Sequence, residues 1–157
     1  MGALLLVLSP GRPLWPANTV LAGAANGSRL QERAKAVYEV YQQRADAFAR
    51  VRVLLPPEAQ VVGLVASDDP ETSLWRPFGH RRIVQVTKQD TAQDLSGKKI
   101  DYVVVNPKKL EMFFDRTFEQ WLAEMHGEVL HEVTLPLRVT LGSSQWYVVK
   151  LKNSKAA

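Results

Sequence analysis

Three short runs, VVGLVA (61–66), RIVQV (82–86) and DYVVV (101–105), constrain this chain more than anything else in it. Each is rich in valine or isoleucine, whose branched side chains suit a pleated strand. The first is almost wholly apolar, and the other two repeat the pattern. A strand with no polar side has to be covered on both faces, which is the situation in a parallel sheet and not in a one-sided antiparallel one. Such a sheet needs helices to cover it, so the runs point to an α/β domain.

The flanking sequence supplies the helices. Ser28 with Gln31 makes a capping box, and the spacing predicts a helix from there to about residue 52, with Leu30, Ala34, Val37, Tyr41, Ala45 and Phe48 on one apolar stripe. Arg29, Arg33, Lys35, Arg44 and Arg50 fall largely outside that stripe, as a solvated face or one suited to anionic lipid headgroups. Pro56 and Pro57 end the helix. TAQDLSG (91–97) reads as a short helix or turn. Asn106 and Pro107 form a cap and first turn, opening a helix over about 108–126 that Gly127 stops. Leu110, Phe113, Phe114, Phe118, Trp121, Leu122 and Met125 on that helix read as core filling. EVLHEVTLPLRVTL (128–141) and QWYVVKL (145–151), joined by GSS, read as a closing antiparallel pair. The sum is an α/β, Rossmann-like layered domain with a mixed sheet of about five strands and two main helices. It occupies residues 28–152, with a leader and linker over 1–27 and a tail over 153–157.

The 157 residues suit one domain with a real core, and a hydrophobic content of 46% is that of a folded protein. With no cysteine, a disulfide framework, a thiolate metal site and a cysteine nucleophile are all excluded. Residues 1–55 hold seven Lys/Arg against three acids, and the remainder hold thirteen against thirteen. A folded body so balanced lacks the basic stripe of a nucleic-acid binder, so no nucleic-acid partner is expected. The opening ALLLVLSPGRPLWP has an apolar run of six residues, far short of the roughly 20 needed to cross a bilayer. No Lys or Arg precedes it, as a signal peptide would require. It reads either as the last turns of a membrane span, with Trp15 at the interface, or as a disordered leader.

Tests for chemistry are mostly negative. After VVGLV comes ASDDPETS, with neither G-x-G-x-x-G nor a lysine-bearing phosphate loop, and no G-x-S-x-G elbow occurs. His126 and His131 straddle Gly127 and share no helix face, so no metal site and no cofactor are expected. Asp68, Asp69 and Glu71 have the chemistry of general acids, bases or cation ligands, and equally of turn formers before Pro70. The stretch SLWRPFGHRR (73–82) is the most unusual surface. Trp75 and Phe78 are expected to pack beneath it, with Arg76, Arg81 and Arg82 at its rim and His80 between them. A stiff aromatic–arginine loop suits sugars, carboxylates or phosphates, or docking on another domain.

Several of these stretches resemble the soluble C-terminal region of bacterial polytopic membrane glycosyltransferases, the GT-C type that use polyprenyl-phosphate sugars (the dolichyl-phosphate-mannose–protein mannosyltransferase-like group). The resemblance lies in the membrane-exit start, in residues 33–65, and in DDPETSLWRPFG (68–79), IDYVVVN (100–106) and WYVVKL (146–151). It implies a bundle of membrane helices followed by an extracytoplasmic domain, with the catalytic acids among the helices, so no residue here is assigned a catalytic role. Arg12, Arg29 and Arg33 depart from that picture, because positive charge beside a span marks the cytoplasmic side. The expectation is a non-catalytic, membrane-associated, periplasmic or extracytoplasmic accessory domain. Its partners would be the membrane-embedded portion of the same parent protein and a glycan or lipid-linked sugar. The alternatives are a free-standing α/β enzyme acting through residues 68–71 and His80, with a pocket at the strand ends, and a sugar- or anionic-lipid-binding module.

Overall fold

The computed structural model describes residues 46–67, 69–138 and 142–152, together with Arg29, Glu32 and Arg33, which are helical. After a turn at Asp46–Phe48 come α1 (Ala49–Leu54), β1 (Val61–Val65), a 3-10 turn (Glu71–Trp75) and β2 (Arg82–Gln85). Then follow α2 (Ala92–Gly97), β3 (Tyr102–Val105), α3 (Pro107–Lys109) continuing as a π-helical turn (Leu110–Phe114), α4 (Phe118–Glu124), β4 (Gly127–Arg138) and β5 (Gly142–Leu151). The strands form one sheet in the order β2-β1-β3-β5-β4. β1 pairs parallel with β2 and β3, while β5 runs antiparallel to both β3 and β4. The chain is therefore an α/β domain with a mixed five-stranded sheet. Its three parallel strands stand in the order β2-β1-β3, as in a doubly wound layer, but the β1–β2 crossover carries a 3-10 turn where Rossmann-like folds carry a helix, and the remaining two strands form an antiparallel hairpin.

The central strands bury both faces for the reason their sequences suggest. Val62, Leu64, Tyr102, Val104, Trp146 and Val148 point to one side, where Phe48, Val51 and Leu55 of the α1 segment and Leu74 of the 3-10 turn cover them. Val65, Val103, Val105, Val149 and Leu151 point to the other, under Leu95, Leu110, Phe114, Trp121 and Met125 from α2–α4. Gly63 has no room for a side chain: a Cβ there would lie 2.9 Å from Val86 and 3.0 Å from Val103. Phe48 meets Trp146 edge to face, ring centres 4.9 Å apart.

Four local expectations change. The helix foreseen to run unbroken to residue 52 restarts after the turn at Asp46–Phe48, and its capping box and most of its stripe lie outside the described residues. The helix foreseen over 108–126 is two pieces, because Asp115 adopts a left-handed conformation (φ 54°) and Thr117 opens α4 with its own capping box. His126 (φ 50°), not Gly127, turns the chain out of α4, and Gly127 already belongs to β4. Gly142, Ser143 and Ser144 belong to β5 rather than to the hairpin turn, since β4 and β5 pair out to Arg138 and Gly142.

Candidate functional site

The segment between β1 and β2 leaves the C-terminal end of one parallel strand and returns to the N-terminal end of the next. It therefore crosses the sheet edge to edge. Ser67 donates its backbone N–H to Asp69 Oδ2 (3.4 Å) and Glu71 donates to the Asp69 carbonyl (2.7 Å), so Asp69 acts as the turn former its place before Pro70 suggested. The 3-10 turn then drives Ser73 and Leu74 into the core. Ser73 Oγ accepts from the Phe48 N–H (2.9 Å), and the Ser73 carbonyl accepts from Arg52 Nη1 (2.6 Å). Arg52 also clasps Asp46 through both guanidinium nitrogens, Nη2 lying 3.0 Å from Oδ2, and Arg76 reaches the same carboxylate at 3.9 Å. The hydrogen bonds from Arg52 hold the Asp46 carboxyl below its ordinary range against the opposing effect of burial, and the Arg52 and Arg76 charges add to this.

Beyond Leu74 the expected arrangement is reversed. Trp75 is 40% exposed and Phe78 72% exposed, so neither packs beneath the loop. A 3-10 turn advances three residues per turn, so with Leu74 facing inward its neighbour Trp75 faces out. A cis peptide bond joins Arg76 and Pro77, and Gly79 takes a left-handed conformation (φ 85°) open only to glycine without strain. Arg81, expected at the rim, is the anchor. It donates from Nε to the Ala59 carbonyl (3.2 Å), from Nη1 to that of Arg52 (3.4 Å), and from Nη2 to those of Leu55 (3.2 Å) and Pro56 (3.3 Å). These include carbonyls that the end of α1 leaves without a helical partner. Burial, with the nearby Arg52 charge, draws Arg81 below the usual guanidinium range. Arg76 and Arg82 are exposed as expected, and His80 is exposed beside them.

The acidic part of the loop and its histidine are placed by opposite ends of the parallel strands. Asp69 follows the C-terminal end of β1, and His80 precedes the N-terminal end of β2. With Val61 paired to Arg82, the two ends lie at opposite edges of the sheet, about one five-residue strand or 16 Å apart. Asp68 lies outside the described residues. Among the described residues, no group of three or more His, Asp and Glu side chains converges to hold a metal ion.

At the C-terminal edge of the parallel strands, Lys109 Nζ donates to Ser67 Oγ (2.6 Å), bridging the connections after β1 and β3. That is the crevice where open α/β sheets bind ligands. Beside it, a groove of about 310 Å³ is lined by Pro107, Lys108, Thr134, Ser143, Ser144 and Gln145. Asn106, buried, accepts the Lys108 N–H (3.1 Å) at its rim. Ser67, Lys109 and the hydroxyl-bearing hairpin residues escape a sequence reading. Their one signal is position, each following or facing a strand end, and the hairpin register that sets them there is invisible without coordinates.

Comparison with protein families, with characterised proteins and with solved structures finds no match to this chain. Among the described residues, no helix is long and apolar enough to cross a membrane.

Proposed function

We propose that the chain is a non-catalytic accessory domain that docks through the stretch Trp75–Arg82, and that it is the extracytoplasmic part of a membrane glycosyltransferase-like protein. The observation supporting docking is the exposure of Trp75 and Phe78 on a stretch fixed by buried Leu74 before it and the Arg81 clasp after it. Exposed aromatics beside arginines are the usual anchors of protein contacts. The parentage rests on the resemblance of the membrane-exit start and of residues 33–65, 68–79, 100–106 and 146–151. On this reading the partner is the membrane-embedded portion of the same parent protein, and the chain by itself turns over no substrate. Reading the DNA upstream of Met1 tests the parentage. In-frame apolar spans are expected, and a stop codon with a ribosome-binding site just before Met1 would overturn it. A photo-crosslinking side chain at Phe78 in the whole protein tests the docking: crosslinks to the membrane part are expected, and none forming would count against it.

A second reading, binding of a sugar, is favoured by the groove at Pro107–Lys108 and Ser143–Gln145, whose hydroxyl and amide groups suit a polyhydroxylated ligand. Titration with oligosaccharides decides it. Shifts confined to those residues support the reading, and a flat response removes it.

A further inference from the structure

We infer that the stretch 75–82 seats the domain on an anionic lipid surface, Trp75 and Phe78 entering the headgroup layer while Arg76 and Arg82 pair with lipid phosphates. The inference deepens the docking reading and rests on it only in taking this stretch as a contact surface.

The tip is stiff and projects. Leu74 is fully buried at one end, and Arg81 holds four backbone carbonyls at the other. Between them Phe78 is 72% exposed, and a Cβ added to Gly79 would meet no atom within 4 Å, so the tip stands in open space. The groove of Pro107 and Ser143–Gln145 follows the C-terminal end of β3, whereas the tip precedes the N-terminal end of β2, and Phe78 is not among its lining residues. α1, hydrogen-bonded to Ser73 before the stretch and to Arg81 within it, exposes Arg50 and Val53 one turn apart, Val53 at 85%.

Charge favours an anionic partner. Over residues 46–60 and 71–82, Arg50, Arg52, Arg76, Arg81 and Arg82 stand against Asp46, Glu58 and Glu71. Asp46 is shared by Arg52 and Arg76, and Arg81 spends its donors on carbonyls, which leave its charge uncancelled. A projecting apolar tip flanked by cations needs a surface that can close around it. A bilayer does so without shape complementarity, with Trp and Phe at the interface and Arg at the phosphates.

Sedimentation of the 157-residue protein with vesicles tests this, comparing phosphatidylcholine alone with phosphatidylcholine containing phosphatidylglycerol. Binding to the anionic vesicles only is expected. Arg76→Gln with Arg82→Gln should weaken it by about thirtyfold, since each arginine near an anionic surface contributes roughly a factor of five. Trp75→Ala with Phe78→Ala should weaken it by at least about tenfold. These side chains are exposed, and circular dichroism checks that the variants stay folded. With brominated lipids, part of the tryptophan fluorescence should be quenched, and Trp75→Phe should abolish that part. No binding to anionic vesicles overturns the inference, as does binding that all variants retain, which would place lipid contact elsewhere in the chain. If pure lipid fails while Phe78 still crosslinks to the membrane part of the parent, the lipid inference falls and the docking reading stands.

Discussion

Between β1 and β2 the chain carries Trp75 and Phe78 and leaves both in solvent, whereas between β3 and β4 it carries Phe114 and Trp121 and buries both. Aromatic content does not separate the two connections; periodicity does. Leu110, Phe114, Trp121 and Met125 recur at intervals of four and seven, so each piece of helix turns them to one face even though Asp115 breaks the segment. In the first connection, among the described residues, Leu74 is the one large side chain in the core, beside the small Ser73. Pro77 and Gly79 then prevent any regular period that could bring a second large side chain round to it. Phe113 shows the same rule from within the second connection. One position off the buried stripe, it is 48% exposed, with the Lys109 ammonium 5.6 Å from its ring centre.

The largest expected effect tests that contrast directly. Phe114→Ala should destabilise the domain by about 3–5 kcal/mol, the usual cost of emptying a buried aromatic site. Phe78→Ala should change stability by no more than about 0.5 kcal/mol. Urea unfolding followed by circular dichroism measures both. A Phe78→Ala loss as large as that of Phe114→Ala would make the first connection core after all, and docking would lose its supporting observation.

Next in size is the clasp that keeps the first connection in place. Arg81→Ala should cost about 1.5–3 kcal/mol, the range for hydrogen bonds to a charged group, because it takes the guanidinium donor from the Leu55 and Ala59 carbonyls, while the Pro56 carbonyl keeps the Ala59 N–H. Arg82→Ala, one residue on and exposed, should cost next to nothing. Hydrogen exchange sharpens the comparison. With Ala at 81, amides of residues 75–80 should exchange faster while those of residues 110–125 keep their protection. Equal loosening of both would mean that Arg81 supports the whole domain rather than this stretch.

That arginine marks where sequence reading stops. The strands were legible because valine-rich runs without a polar side allow little else. α2 was legible from TAQDLSG, and its Thr91–Asp94 capping box is formed. Which arginine of RPFGHRR anchors and which two face solvent is not written in their identity. It depends on how the chain turns between α1 and β1, which lays the Leu55, Pro56 and Ala59 carbonyls beside residue 81. The 3-10 phase that turns Trp75 outward is likewise set by Leu74 finding the core, and the parallel pairing of β1 with β2 places Asp69 after one strand's C-terminal end and His80 before the other's N-terminal end. Each is a consequence of tertiary packing, to which local pattern is blind.

The smallest effect concerns how each connection reverses the chain. The first does so with Gly79 at φ 85°, where a glycine is at ease. The second ends at His126, φ 50°, with the glycine one place later. The displacement has a cause: at position 127 a Cβ would lie 2.7 Å from Val149 Cγ1 and 2.8 Å from Leu122 Cδ1, so β4 can start against α4 only with glycine there. The chain has put its glycine where packing forbids a side chain and left the helix end with a residue that bears mild backbone strain. His126→Gly should therefore stabilise the domain by up to about 1 kcal/mol by relieving that strain. The backbone bonds from the residue 126 N–H to Ala123 and from Lys152 to its carbonyl are unaffected by the change. A rise in urea midpoint is expected for this variant and not for Gly79→Ala, where the strain runs the other way. A fall would show that the exposed imidazole has a stabilising contact that outweighs its backbone.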